Sequence, residues 1–130
     1  MFARQRVADL FIDALPYNAH TTASDALWAG VPVLTCKGRS YAGRVGASLL
    51  LALDLKELIT SDLEGYAQAA IALAKDPARL AALRVKLQQQ LLSGSLFDIK
   101  SFTRSLEQAF QLATERKVSN LPNDHFDIDD

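Results

Sequence analysis

The stretch from Asn18 to Gly30, NAHTTASDALWAG, decides how this chain is read. It places a histidine, two threonines and an aspartate within the six positions from His20 to Asp25, between two apolar runs. The run before it, Leu10 to Ala14 (LFIDA), is short and stopped by Leu15-Pro16, which reads as a buried strand. The run after it, Val31 to Thr35 (VPVLT), is apolar and β-branched, and Pro32 near its start is tolerable in a strand. Between them, Tyr17 to Thr21 reads as a polar loop and Ala23 to Ala29 as a short helix ended by Gly30.

Working outward, Lys37-Gly38-Arg39 is a loop, and Ser40 is placed to cap a helix running to about Leu53. Gly43 and Gly46 inside that helix each cost roughly 1 kcal/mol relative to Ala, so they imply close backbone packing or a mobile first turn. Glu57 to Thr60 is a candidate third strand. Ser61-Asp62-Leu63-Glu64 has the form of a capping box opening a helix to Lys75, with Ser61 as the cap. Asp76-Pro77 starts another, with Asp as cap and Pro at the first helical position. Leu80, Leu83, Leu87 and Leu91 recur on it at helical spacing. Ser93-Gly94-Ser95 breaks the chain before a last helix carrying Ile99, Phe102, Leu106 and Phe110 on one stripe. Residues 117–130 form an acidic tail, expected to be disordered.

The order is strand, helix, strand, helix, strand, then helices, which is an α/β pattern with a parallel sheet and helices on both its faces. A three-stranded parallel sheet is small, because such sheets need cover on both faces and protected edges. The chain therefore reads as part of a larger doubly wound, Rossmann-like sheet followed by C-terminal helices.

Composition narrows the function classes. Of 130 residues, 49% are apolar, enough for a core, and the formal net charge of −1 lacks the basic excess of a nucleic-acid surface. No apolar run approaches the length of a membrane span, and no signal-peptide h-region is visible at the N-terminus. The single cysteine, Cys36, excludes an internal disulfide framework, so an intracellular, cytoplasmic setting is the simplest reading. Cys36 reads as a small packing residue and Trp28 as core. The two histidines, His20 and His125, are far apart with no paired cysteine, so no metal-site spacing exists and no metal is expected. Ser24, His20 and Asp25 lie on adjacent turns without a nucleophile elbow and do not form a triad.

In a doubly wound sheet, ligands bind beyond the carboxyl ends of the strands. The loop ahead of Thr22 leaves such an end and opens into a helix N-terminus, whose free amides and partial positive charge suit phosphate. Thr21 and Thr22 add hydroxyl donors, and His20 adds an imidazole. Asp25 is suited to accepting from the two hydroxyls of a ribose. A plainer reading competes: Thr22-x-x-Asp25 is itself close to a capping box, and His20 is then a loop residue. Spacing alone leaves both open. Arg39 and Arg44, beyond the second strand, are candidate phosphate or acceptor contacts, or solvated surface charges.

The segment ADLFIDALPYNAHTTASDALWAGVPVLTCKGRSYAGRVGASLL, with ELI and SGSLFD after it, resembles the C-terminal catalytic region of the O-linked N-acetylglucosamine transferase and SPINDLY family. The resemblance runs from about Ala8 to Phe110. It implies a glycosyltransferase of two Rossmann-like domains that moves a sugar from a uridine diphosphate (UDP) donor to Ser or Thr of proteins. It implies pyrophosphate contacts for His20, Thr21 and Thr22, a ribose contact for Asp25, and no metal. Residues 1–116 then form the C-terminal half of a nucleotide-sugar-binding domain. It implies that a basic donor-gripping segment, an N-terminal Rossmann-like domain and the tetratricopeptide repeats of a parent protein lie outside these residues. Lys37 stands where the family often has Pro, and Gly43 and Gly46 where it has Ser or Ala. No catalytic residue is identifiable, so the chain alone is expected to be silent. The rival reading is a non-enzymatic, self-associating module, a dimer or larger, built from an exposed sheet edge and the last helix.

Overall fold

The computed structural model describes residues 7–128. It comprises two compact units, one ending at Leu96 and the other beginning at Phe97.

The first unit holds a three-stranded parallel sheet in the order β1-β2-β3, made of β1 (Phe11–Ile12), β2 (Val33–Cys36) and β3 (Ile59–Thr60). Between them run α1 (Thr21–Trp28) and α2 (Val45–Ala52), with a 3-10 turn at Lys56–Leu58 just before β3. Two helices follow, α3 (Leu63–Ala74) and α4 (Pro77–Ser93). The second unit is built on α5 (Ile99–Val118), capped by the Asp98 carboxylate, which accepts from the amides of Lys100 and Ser101 at 3.1 Å each. The α/β class and the parallel sheet are those the sequence predicts.

β2 is the central strand, and all four of its residues are buried, as its apolar, β-branched composition requires. Phe11 pairs with Val33 and Ile12 with Leu34, while Thr35 pairs with Ile59 and Cys36 with Thr60. Leu27, Val31, Val33, Leu34, Leu50, Leu53, Leu55, Leu58, Leu73 and Leu87 form the core, none more than 2% exposed. On α4 the predicted leucine stripe is present, with Leu83 and Leu87 as its buried members. Cys36 is buried as a packing residue.

α1 ends in a Schellman motif. The Gly30 amide donates to the Leu27 carbonyl and the Val31 amide to that of Ala26, each at 2.9 Å, with Gly30 at φ +82°. This is the helix stop read from Gly30, and a side chain there would be strained.

Several expectations need correction. β1 is not a buried strand: it is two residues long, and Ile12 is 49% exposed because it lies on a sheet edge. Trp28 is not core. It is 51% exposed, because α1 turns Ala23, Ala26 and Leu27 inward and leaves the next position on the flank. Ser40 does not cap α2; its hydroxyl accepts from the Gly43 amide at 3.0 Å in a turn closed by Gly38 N–H to the Gly43 carbonyl, and α2 starts only at Val45. The cap of α3 is Asp62, not Ser61: its carboxylate accepts from the Gly65 amide at 2.7 Å, and Glu64 pairs with Gln68 instead of reaching back. Asp competes well for that position because a charged acceptor suits a helix N-terminus. Asp76 and Pro77 start α4 as predicted.

Of the two glycine readings, close packing is the one observed. A Cβ on Gly46 would lie 2.5 Å from Asp13 Oδ2 and 2.8 Å from Thr35 Oγ1. Gly46→Ala is therefore expected to destabilise the chain by about 1–3 kcal/mol, the usual cost of overpacking. A urea midpoint unchanged from that of the parent protein would contradict this.

Candidate functional site

The site begins where β1 stops. Its next residue, Asp13, is a carboxylate only 4% exposed. A buried charged or polar group must find partners, and Asp13 has them on both sides. Oδ2 accepts from Thr35 Oγ1 on β2 at 2.6 Å, and Oδ1 accepts from the Ala19 amide at 2.7 Å. Its main-chain carbonyl accepts from the Tyr66 hydroxyl of α3 at 2.6 Å. One residue thus ties the central strand, the loop leaving β1 and α3 together.

Asn18, also buried, makes the second tie. Its side-chain amide donates to the Ala14 carbonyl at 3.2 Å, and its Oδ1 accepts from the Gly46 amide at 3.3 Å. Its backbone amide donates to the Ala42 carbonyl at 3.0 Å, joining the loop after β1 to the loop after β2. The Leu15-Pro16 peptide is cis. A Cβ on Gly43 would come within 3.0 Å of the Pro16 carbonyl, so the two loops touch there as well.

These ties determine where α1 begins. The helix opens at Thr21, two residues ahead of the predicted start, with His20 at the cap position and no side-chain capping bond. The Thr22 capping box is consequently not formed: Thr22 is already inside the helix. The amides of Thr21, Thr22 and Ala23 have no acceptor among the described residues; the first amide bonded is that of Ser24, to the His20 carbonyl at 3.0 Å. The hydroxyls of Thr21 and Thr22 are exposed and, like the half-buried carboxylate of Asp25, unpaired among the described residues. His20, Thr21, Thr22 and Asp25 therefore stand together at the first turns of one helix, beyond the carboxyl end of a parallel strand.

His20 is held by rings. Tyr17 stacks on the imidazole with centroids 4.8 Å apart and planes at 17°, and Tyr41 meets it edge-on at 6.3 Å and 87°. Nε2 is shielded and has no hydrogen-bond partner among the described residues. Arg39 and Arg44 lie in the loop beyond the carboxyl end of β2, both exposed, with no side-chain bond or ion pair among the described residues. Asp13, Asn18, Thr35 and Tyr66 were not picked out by motif. The signal available for Asp13 was a carboxylate inside an apolar run, a position that demands partners.

The sequence profile described as Glycosyl transferase family 41 matches residues 2–106. This chain belongs to glycosyl transferase family 41. Among curated relatives of this family 41 chain is "UDP-N-acetylglucosamine--peptide N-acetylglucosaminyltransferase" of Caenorhabditis elegans, 35% identical over 122 residues, covering 94% of this chain and 11% of the relative. Another is "Probable UDP-N-acetylglucosamine--peptide N-acetylglucosaminyltransferase SEC" of Arabidopsis thaliana, 35% identical over 126 residues, covering 96% of this chain and 13% of the relative. Among solved structures, a mutant of the O-GlcNAc transferase of Thermobaculum terrenum superposes with a TM-score of 0.79 at 42% identity, covering 84% of this chain and 21% of that one. The family 41 chain thus spans between a tenth and a quarter of the length of these proteins. The match favours the glycosyltransferase reading over the non-enzymatic module. No helix among the described residues is long and apolar enough to cross a membrane.

Tyr66 reports on the Asp13 tie. Burial above all, with the nearby Asp13 and Cys36 charges, pushes its phenol up to about 12. The folded state therefore keeps the Tyr66 proton at pH values where the unfolded chain, titrating near 10, has lost it. This contribution is full below about pH 10 and disappears as pH rises through about 12. The stability difference between the parent protein and Tyr66→Phe is expected to narrow over that interval in urea titrations. A difference that stays constant with pH would contradict the assignment.

Proposed function

We propose that this family 41 chain supplies the donor site of a UDP-sugar-dependent protein O-glycosyltransferase. The observation that carries the reading is the open first turn of α1, with three amides that have no acceptor among the described residues and two exposed threonines, beyond the carboxyl end of a parallel strand. The pyrophosphate of the donor sits on that turn, contacted by Thr21, Thr22 and His20. Asp25, one turn further in, accepts from the ribose hydroxyls. Arg39 and Arg44 add positive potential from the neighbouring loop. Together with the helix terminus they neutralise the diphosphate leaving group without a metal.

The names of the relatives point to UDP-N-acetylglucosamine as donor and a peptide as acceptor. In the whole enzyme, the sugar passes to a Ser or Thr hydroxyl presented by other parts of the protein. The residues described here bind and orient the donor and offer no evident general base, so the chain alone holds UDP without transferring sugar.

Thr22→Ala and Asp25→Ala each remove one bond to a charged or multiply bonded ligand, so each is expected to weaken UDP binding roughly tenfold. Isothermal calorimetry on the folded variants measures this. Affinities equal to that of the parent chain would remove these residues from the site.

A further inference from the structure

We infer that Tyr17 and Tyr41 are positioning residues that clamp the His20 imidazole in the anion-binding turn; this rests on the donor-site reading above. A functional histidine is ordinarily oriented by a hydrogen bond from the nitrogen facing away from its ligand. Among the described residues His20 has no such bond. Its Nε2 is shielded and unpartnered among the described residues, so packing alone sets the ring's orientation.

The packing comes from two directions. Tyr17 lies nearly parallel to the imidazole, its centroid 4.8 Å away, in the offset-stacked range for aromatic pairs. Tyr41 stands perpendicular to the imidazole at 6.3 Å and 87°, the T-shaped arrangement. Stacking fixes the plane of the ring, and the perpendicular contact holds it from a second direction. Both tyrosines are otherwise mostly exposed, at 64% and 77%, so burial in the core does not explain their placement.

The clamp is also held from behind. Tyr17 precedes Asn18, whose amide bonds the Ala42 carbonyl, and Ala42 follows Tyr41. The backbones carrying the two rings are therefore pinned to each other directly beside the histidine. Gly43 packing against the Pro16 carbonyl reinforces the same junction. The loop after β2 thereby helps to orient a side chain that belongs to the loop after β1.

The test uses the full chain and has two arms. In the first, the imidazole protons of His20 are compared with those of the exposed tail residue His125 in the same spectrum. Ring currents from Tyr17 are expected to shift the His20 protons upfield of those of His125. Tyr17→Phe keeps that shift, and Tyr17→Ala moves the resonances downfield toward the His125 position. In the second arm, UDP affinity is measured by calorimetry for Tyr17→Ala, Tyr17→Phe and Tyr41→Ala, each alone and combined with His20→Ala. The alanine variants are expected to lose roughly threefold to tenfold in affinity with His20 present and nothing when it is already removed, while Tyr17→Phe binds normally.

His20 protons coincident with those of His125 in the parent protein would overturn the clamp. So would an affinity loss from Tyr17→Ala that is the same with and without His20, since the tyrosine would then act on the ligand itself. If the parent chain fails to bind UDP, the donor-site reading falls, and the resonance arm still decides the clamp.

Discussion

The Asp13 carboxylate is the constraint on which the rest of this architecture depends. A buried carboxylate at the end of a strand is costly unless its oxygens are bonded. Here one oxygen takes the Thr35 hydroxyl from the central strand, and the other takes the Ala19 amide, just before the helix begins. The first bond anchors the residue to the sheet. The second pulls the chain back toward the sheet, and α1 starts at Thr21 with its first three amides unbonded among the described residues. Gly46 follows from the same constraint, since no side chain fits between α2 and the Asp13–Thr35 pair.

The arrangement separates two kinds of polar group. Those that shape the loop (Asp13, Asn18 and Thr35) are buried and bonded to one another or to backbone. Those available to a ligand (Thr21, Thr22 and the first-turn amides) are left without partners among the described residues. A turn whose support is satisfied internally keeps its donors oriented before any ligand arrives, which lowers the reorganisation cost of binding. The chain that carries this turn is a small part of much longer family 41 relatives, and the sheet edge at β1 stays half covered in it.

Much of this was legible in the residues. The β-branched run at Val31 to Thr35 and the stop at Gly30 located β2 and the end of α1, because both express strong local preferences. Asp76-Pro77 did the same for α4. The HTTASD stretch stood out because its residue types suit a helix N-terminus, and the structure places them at the first turns of α1. What local patterns could not reveal was tertiary. The start of α1 is set by Asp13, from across the loop, so the local capping reading at Thr22 lost to a distant bond. Trp28 was misplaced because size argues for burial only when the helix face turns inward. Ser61 lost the cap to its neighbour Asp62, a difference of one residue that sequence spacing does not resolve.

The most direct measurement of the central claim is an amide-shift titration of the whole chain with UDP, run on the parent protein and on Asp13→Ala. Perturbations in the parent are expected to concentrate on the amides of Thr21, Thr22 and Ala23. An Asp13→Ala chain that retains its fold is expected to lose this pattern, because the turn is no longer drawn back to the sheet. Perturbations centred elsewhere in the parent, or an identical pattern in both proteins, would contradict the claim.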